Sequence, residues 1–236
     1  MSSIQPSSKP SIKPSIEPSI KSSIKPSIKR GLYLVTPNWD DTERLLAVTE
    51  QALAAGVALL QYRHKDAAPA LRERQARALL ALCRRYGVPL VINDHTELCQ
   101  QLGADGVHVG GTDAGVAAVR AALGPDKIVG ASCYGDLPRA VAAEAAGASY
   151  VAFGGFYPSR VKQYAVTTSA DIVGQAAACI GVPGVVIGGM TPANAAPLVA
   201  RGADLVAAIS SVYLADDVVL AVGQFNALFS ARNRGA

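Results

Sequence analysis

A short recurrence constrains the fold of this chain more than any other feature. Four segments share one order of helix end, glycine, small residue and strand: AAGVALLQ, LGADGVHV, AAGASYVAF and ARGADLVAA. Their glycines fit the left-handed backbone position that ends a helix, where a Cβ atom would be strained; they are Gly56, Gly103, Gly147 and Gly202. One supersecondary unit is therefore used repeatedly along the chain.

Short β-rich runs alternate with alanine- and leucine-rich amphipathic stretches from residue 31 onward. Apolar positions three and four apart predict helices over 42–55 and 69–86. Eight strands are predicted, at 32–36, 59–63, 89–93, 106–110, 127–132, 150–154, 184–188 and 205–210. Such alternation indicates parallel strands joined by crossover helices. We predict a (β/α)8 TIM barrel over residues 31–236, and the alternative, a doubly wound open sheet, fits less well because no GxGxxG follows the first strand.

The first thirty residues have a different character. They repeat a four-residue unit rich in serine and proline, and proline at every fourth or eighth position blocks helical hydrogen bonding. We predict a disordered low-complexity leader over residues 1–30. This leader carries six basic side chains against one acidic, so the overall charge of +4 leaves the rest of the chain at −1. That balance gives no electrostatic case for binding nucleic acid.

The apolar runs and the cysteines bear on where the chain works. No apolar run approaches the roughly 18 to 20 residues that a transmembrane helix needs, and the leader has no secretory hydrophobic segment. Four cysteines without paired spacing indicate buried thiols rather than a zinc site or disulfides: Cys83, Cys99, Cys133 and Cys179. We therefore expect a cytoplasmic protein with no membrane partner, and a homo-oligomer is left open.

Two aspartates follow neighbouring strands of the predicted barrel. Asp94 comes after the third strand and Asp113 after the fourth. The functional face of a parallel barrel is the ring of loops after the strands, so the two carboxylates should meet there. Hard oxygen ligands of this kind suit Mg²⁺, which often takes one or two carboxylates plus substrate phosphates. The alternative is that each aspartate is a helix N-cap.

Basic side chains end the second strand. Gln61, Arg63 and Lys65 alternate in QYRHK and should point to one side, where the two cations suit a polyphosphate; His64, out of phase, should be peripheral. Surface charge at a strand end is the alternative.

Later strand ends offer further ligand positions. The long loop 153–170 carries Lys162, and a loop of this length is usually functional. Gly188, Gly189 and the amides near Ile209 and Ser210 lie where such barrels commonly hold a phosphate, although tight turn chemistry alone explains a glycine pair. His108 is expected to be a hydrogen-bonded core histidine. Together these positions suggest two phosphorylated substrates, one of them a metal-bound diphosphate.

At this point the motifs resemble a known family. QYRHK, VINDHTELCQQLGADGVHVGGTD, ASCYGD, FGGFYPSRVK, IGGMTPAN and GADLVAAISSV are similar, in order and spacing, to thiamine-phosphate synthases over about residues 31–225. The resemblance implies a (β/α)8 barrel. It also implies a Mg²⁺-dependent transferase that joins 4-amino-5-hydroxymethyl-2-methylpyrimidine diphosphate to thiazole phosphate, giving thiamine monophosphate and pyrophosphate.

The resemblance also implies roles for individual residues. The pyrimidine diphosphate would be contacted by Gln61, Arg63, Lys65 and Asn93, with Ser132 and Lys162 on the diphosphate or pyrimidine. Magnesium would be bound by Asp94 and Asp113. Thiazole phosphate would be contacted by Gly189, Ile209 and Ser210 and by the loop positions Ser159 and Val161, where the family usually has threonine and Val161 brings no hydroxyl. The catalytic residues implied are Arg63, Lys65, Ser132 and Lys162.

Two other functions remain open for the same barrel. A thiazole tautomerase would share the phosphate site, but it would not need the diphosphate-binding residues present here. A non-catalytic regulator that binds thiazole phosphate is the other alternative. The synthase interpretation predicts that the diphosphate leaves first, that the thiazole nitrogen attacks the resulting carbocation, and that no enzyme base acts at that atom.

Overall fold

The computed structural model describes residues 28–110, 115–158 and 168–232. The leader prediction therefore lies outside the described residues, except for its last three positions. Within the described part, none of the helices has the length and apolar character that crossing a bilayer requires.

Eight parallel strands close into a barrel in sequence order, with β1 paired to both β2 and β8. The strands are β1 Gly31–Val35, β2 Leu59–Tyr62, β3 Leu90–Asn93, β4 Gly106–Val109, β5 Ile128–Tyr134, β6 Tyr150–Gly154, β7 Gly184–Ile187 and β8 Leu205–Ala208. Each of the eight overlaps a predicted strand, with ends that differ by up to two residues. The TIM barrel prediction is confirmed.

Helices follow the strands and cover the outside of the barrel. They are α1 Thr42–Ala54, α2 Pro69–Tyr86, α3 Thr96–Leu102, α4 Val116–Leu123, α5 Leu137–Ala145, α6 Asp171–Cys179, α7 Pro192–Ala200, α8 Ser210–Tyr213 and α9 Val218–Arg232. The eighth predicted strand was too long, because β8 ends at Ala208 and Ser210 already begins α8. That early turn brings the start of α8 to the barrel rim.

Two apolar clusters form because strand side chains alternate between the faces of the sheet. In β1, Leu32 and Leu34 pack outward among the helices, whereas Tyr33 and Val35 pack inside the barrel. The inner cluster is filled from the other strands by branched and aromatic side chains such as Leu59, Val91, Ile128, Tyr150, Val185 and Leu205. The barrel interior is therefore a packed core toward the amino ends of the strands, and the carboxyl ends of the strands are left for polar groups.

The recurrent glycines have the backbone that the sequence predicts. Gly56, Gly103, Gly147 and Gly202 all have positive φ at the ends of helices.

The cysteine prediction holds in part. Cys83, Cys99 and Cys133 are buried, and all four cysteines are free thiols, but Cys179 is exposed at the end of α6. The expectation that every cysteine is buried was wrong for Cys179, because the last turn of α6 lies on the outer surface.

Candidate active site

A cavity of about 550 Å³ opens at the carboxyl ends of the strands. Nine predicted site residues line it: Gln61, Arg63, Lys65, Asn93, Asp94, Ser132, Gly189, Ile209 and Ser210. They lie at the ends of five different strands, and the barrel brings them together although up to 149 positions separate them in the chain. Asp113, Ser159, Val161 and Lys162 lie outside the described residues.

One sector of the rim, after β2 and β3, combines two cations with a carboxylate. Gln61, Arg63 and Lys65 face the same cavity, as their alternation predicts. The Lys65 Nζ atom lies 3.5 Å from Asp94 Oδ2, with the lysine about half exposed. Asn93 Nδ2 donates to the same carboxylate oxygen at 2.5 Å. Lys65 and Asn93 therefore anchor the Asp94 carboxylate where β2 and β3 end.

The backbone of Asp94 is unusual for a residue with a side chain. Its φ is 62°, in the left-handed region, and its amide donates to the carbonyl of His108 on β4 at 3.0 Å. Such a backbone costs of order 1 kcal/mol and is concentrated at functional sites. The N-cap of α3 is His95, without a side-chain capping bond. The N-cap alternative for Asp94 is therefore wrong, and its carboxylate faces the cavity.

A hydrogen-bonded chain crosses the barrel below the cavity. Gln61 Nε2 donates to Tyr33 Oη, and Tyr33 Oη lies 2.6 Å from Tyr150 Oη. Tyr150 Oη is 2.8 Å from His108 Nδ1, and His108 Nε2 is 2.9 Å from Ser132 Oγ. These four contacts link Gln61 on β2 to Ser132 on β5 through Tyr33, Tyr150 and His108.

Burial fixes the protonation of the two tyrosines in this chain. Desolvation raises the pKa of both Tyr33 and Tyr150 well above the ordinary value for a phenol. Both hydroxyls therefore keep their protons and remain donors at neutral pH. His108, 7% exposed, is the hydrogen-bonded core histidine that was expected, and its ring also lines the cavity.

The sequence predictions missed Tyr33, which lines the cavity, and Tyr150, which is bonded to it below the cavity. A signal was present, since each lies at an inward position of its strand by simple alternation. It was overlooked because an aromatic residue in a buried strand is usually only core.

A second sector of the rim, after β7 and β8, is built from glycine and serine. Gly188 and Gly189 have φ of 113° and 61°. A Cβ atom on Gly189 would lie 2.3 Å from the carbonyl oxygen of Pro158, so only glycine lets the two loops approach this closely. Turn chemistry thus explains the glycine pair, and both residues still line the cavity beside Ile209 and Ser210. Backbone amides and the Ser210 hydroxyl at the cavity wall suit an anion here.

The described residues offer one carboxylate to a metal ion. In residues 28–110, 115–158 and 168–232, no three histidine, cysteine, aspartate or glutamate side chains gather as a metal site. The carboxylate oxygens of Asp94 are the kind of ligand that suits Mg²⁺. This ion is commonly held by one or two protein carboxylates, with substrate phosphates and water as the remaining ligands. The predicted partner carboxylate, Asp113, lies outside the described residues.

Comparison with known proteins bears on the activity. The family model described as thiamine monophosphate synthase matches residues 32–212. The thiamine-phosphate synthase of Janthinobacterium sp. (strain Marseille) is 66% identical over 200 residues, which cover 85% of this chain and 97% of that protein. The thiamine-phosphate synthase of Thiobacillus denitrificans is 51% identical over 201 residues, covering 85% and 95%.

A solved structure agrees with the sequence relatives. The thiamine phosphate pyrophosphorylase from Pyrococcus furiosus superimposes with a TM-score of 0.77 at 27% identity, covering 86% of this chain and 97% of that one. On sequence and structure alike, this chain belongs to the thiamine monophosphate synthase family.

Proposed function

We propose that this chain joins 4-amino-5-hydroxymethyl-2-methylpyrimidine diphosphate to thiazole phosphate, releasing pyrophosphate and forming thiamine monophosphate. The supporting observation is a single cavity with two different anion sectors: Arg63, Lys65 and Asp94 on one side, and the glycine–serine sector after β7 and β8 on the other. A tautomerase needs only the second sector. The relatives are named as synthases, which agrees with the presence of both.

The residues after β2 and β3 would act on the diphosphate. The bond between the pyrimidine methylene carbon and the diphosphate oxygen breaks with both electrons going to the oxygen. Arg63 and Lys65 stabilise the charge that grows there, in a site where fixed cations act more strongly than in water. Asp94 and Asp113 would hold Mg²⁺, which supplies further neutralisation of the diphosphate charge.

The residues of the floor and of the second sector would orient the two rings. Gln61 and Ser132 present amide and hydroxyl groups from the fixed chain below the cavity, which suits a flat heterocycle with ring nitrogens. Gly189, Ile209 and Ser210 would hold the phosphate of the thiazole and aim its nitrogen at the methylene carbon. That nitrogen already carries a lone pair, so no enzyme base is needed for the new C–N bond. We also propose Ser159, Val161 and Lys162 as loop contacts to the same substrates.

The full chain with both substrates and Mg²⁺ tests this function. We expect pyrophosphate release that requires both substrates and matches the thiamine monophosphate formed. Pyrophosphate release without thiazole phosphate, or none with both present, would overturn the proposal. Isomerisation of the thiazole alone would favour the tautomerase.

Replacement of Asp94 tests the metal role. Asp94→Ala should lower kcat by about 10² to 10³ at saturating Mg²⁺, since it removes charge stabilisation at the leaving group. The matched control is Asp126→Ala, an exposed aspartate before β5 at the other end of the barrel. Near-normal rates for Asp94→Ala after chelation of Mg²⁺ would exclude the metal role. A cytoplasmic location stays a prediction, and a homo-oligomer stays open.

A further inference from the structure

The strand end that carries Arg63 and Lys65 is held by residues that do not line the cavity. We propose that Thr36 is a positioning residue for the diphosphate-binding end of β2, supported from the helix side by Gln75. This inference rests on the proposed function, because it assigns Arg63 and Lys65 to the diphosphate. Neither Thr36 nor Gln75 lines the cavity.

The hydroxyl of Thr36 holds both peptide groups of Arg63. The regular strand β2 ends at Tyr62, so Arg63 has left the ladder. Thr36 Oγ1 accepts from the Arg63 amide at 2.8 Å and donates to the Arg63 carbonyl at 3.1 Å. The Thr36 amide itself donates to the Gln61 carbonyl at 3.0 Å. The peptides on either side of the Arg63 Cα are thus fixed by one side chain.

Thr36 can do this because it is almost fully buried. It is 1% exposed, and water is therefore excluded from replacing its hydroxyl. If the hydroxyl is removed, the Arg63 amide and carbonyl lose a partner at a buried position, which is costly. The backbone of Arg63 would then shift to reach other partners. A shift there moves the guanidinium across the cavity, since the side chain amplifies any backbone rotation.

Gln75 of α2 anchors the residues on either side of Arg63. Tyr62 Oη donates to Gln75 Oε1 at 3.0 Å, and His64 Nδ1 lies 3.5 Å from the same oxygen. Gln75 Nε2 donates to the Trp39 carbonyl at 2.9 Å in the loop after β1. His64 is therefore buried against the helix layer and does not line the cavity.

The alternation of side chains along residues 62–65 explains how the contacts of Thr36 and Gln75 orient Arg63 and Lys65. Tyr62 and His64 are buried and contact Gln75, whereas Arg63 and Lys65 line the cavity on the other side of the chain. Gln75 is itself fully buried, with its amide group bonded on both sides. The strand end is thus held at two outward side chains and at the Arg63 backbone, which sets the direction of the two cations.

The test compares Thr36→Val with Thr36→Ser in steady-state kinetics. Valine keeps the shape and removes the hydroxyl, so we expect KM for the pyrimidine diphosphate to rise by up to about tenfold, as losing a hydrogen bond of this kind implies. KM for thiazole phosphate should stay within about twofold, because the second sector is not touched. Serine should restore values close to those of the parent chain.

Thr49→Val is the matched control. Thr49 is equally buried, and its hydroxyl donates to the Leu45 carbonyl and pairs with Tyr213 Oη at 2.8 Å in the helix layer, away from β2. It should lower the melting temperature as Thr36→Val does, with both KM values unchanged. A purely structural role for Thr36 predicts that the two variants behave alike.

Two further measurements keep the test decisive if Thr36→Val folds poorly. Tyr62→Phe removes the bond to Gln75 while retaining the buried ring, and it should raise the same KM by a smaller factor. Calorimetric binding of pyrophosphate with Mg²⁺ should weaken in parallel, without any turnover. If the parent chain is active and the KM values of Thr36→Val and Tyr62→Phe equal those of Thr49→Val, this inference is wrong while the proposed function stands. A parent chain that forms no thiamine monophosphate overturns the proposed function instead.

Discussion

Tyr33 illustrates how one side chain determines the orientation of several others. It sits at an inward position of β1 and joins Gln61 to Tyr150. Its proton remains bound, because burial holds the pKa of Tyr33 above the ordinary phenol value. The amide nitrogen of Gln61 is bonded to this buried hydroxyl, and the Gln61 side chain also lines the cavity. The orientation of a cavity residue thus depends on a hydroxyl held in the barrel core.

Replacement of Tyr33 by phenylalanine should release this orientation. We expect Tyr33→Phe to lower the free energy of unfolding by about 1–3 kcal/mol, because the buried Gln61 amide and Tyr150 hydroxyl each lose a partner. Denaturant unfolding measures this loss. Tyr86→Phe, which removes an exposed hydroxyl that donates to Glu50, should change it by less than about 0.5 kcal/mol. Equal effects of the two substitutions would show that the buried chain contributes no net stability.

At the scale of the element, β5 makes room for the ring of its neighbour. Gly130 on β5 is aligned with Tyr150 on β6, and a Cβ atom on Gly130 would lie 2.0 Å from Cζ of that ring. The ring covers the glycine, which lets the Tyr150 hydroxyl reach both Tyr33 and His108. The missing side chain in β5 is thus a condition for the hydrogen-bonded chain.

Gly130→Ala should therefore destabilise the barrel, by about 1–3 kcal/mol for overpacking a well-filled core. Gly174→Ala is the opposite case, because a Cβ atom on this α6 glycine meets nothing within 4 Å. It should stabilise the protein by about 0.5–1 kcal/mol, since alanine favours a helix. Thermal unfolding of both variants measures the signs. A stabilising Gly130→Ala would mean that the Tyr150 ring is free to move aside.

At the scale of the whole molecule, the barrel interior is closed at the bottom by the start of the described chain. Ile28 packs against the inner cluster, and Arg30 Nε lies 3.2 Å from Asp204 Oδ1 before β8. Every described cavity residue lies at position 33 or beyond. We therefore propose that the leader is dispensable for catalysis.

Two truncations test the leader. Deletion of residues 1–27 should leave kcat and KM within about twofold, because no described cavity contact is removed. Deletion of residues 1–30 should in addition lower stability by about 1–2 kcal/mol, through the lost burial of Ile28. Steady-state kinetics and thermal unfolding separate the two effects. A large fall in kcat for the shorter deletion would show that the leader takes part in the reaction.

The eight strands and the rim to which they lead were predictable because they depend on local pattern. Eight β-rich runs between helices predict a parallel barrel, and a parallel barrel brings the ends of all its strands to one rim. Asp94, Arg63 and Gly189 could therefore be assigned to a common cavity without knowing any distance. The predicted extent of β8 failed, since nothing in LVAAIS marks the turn into α8 before Ser210.

What the sequence alone determined is the barrel, its eight strands and the side of the barrel on which polar residues gather. Only the tertiary structure decided the partnerships: Tyr33 with Tyr150, Thr36 with Arg63, and Lys65 with Asp94. The physical reason is that hydrophobic periodicity extends over a few neighbouring residues, so it can be recognised in the sequence. A hydrogen bond is set by ångström-scale distances between atoms that the closed sheet brings together from far apart.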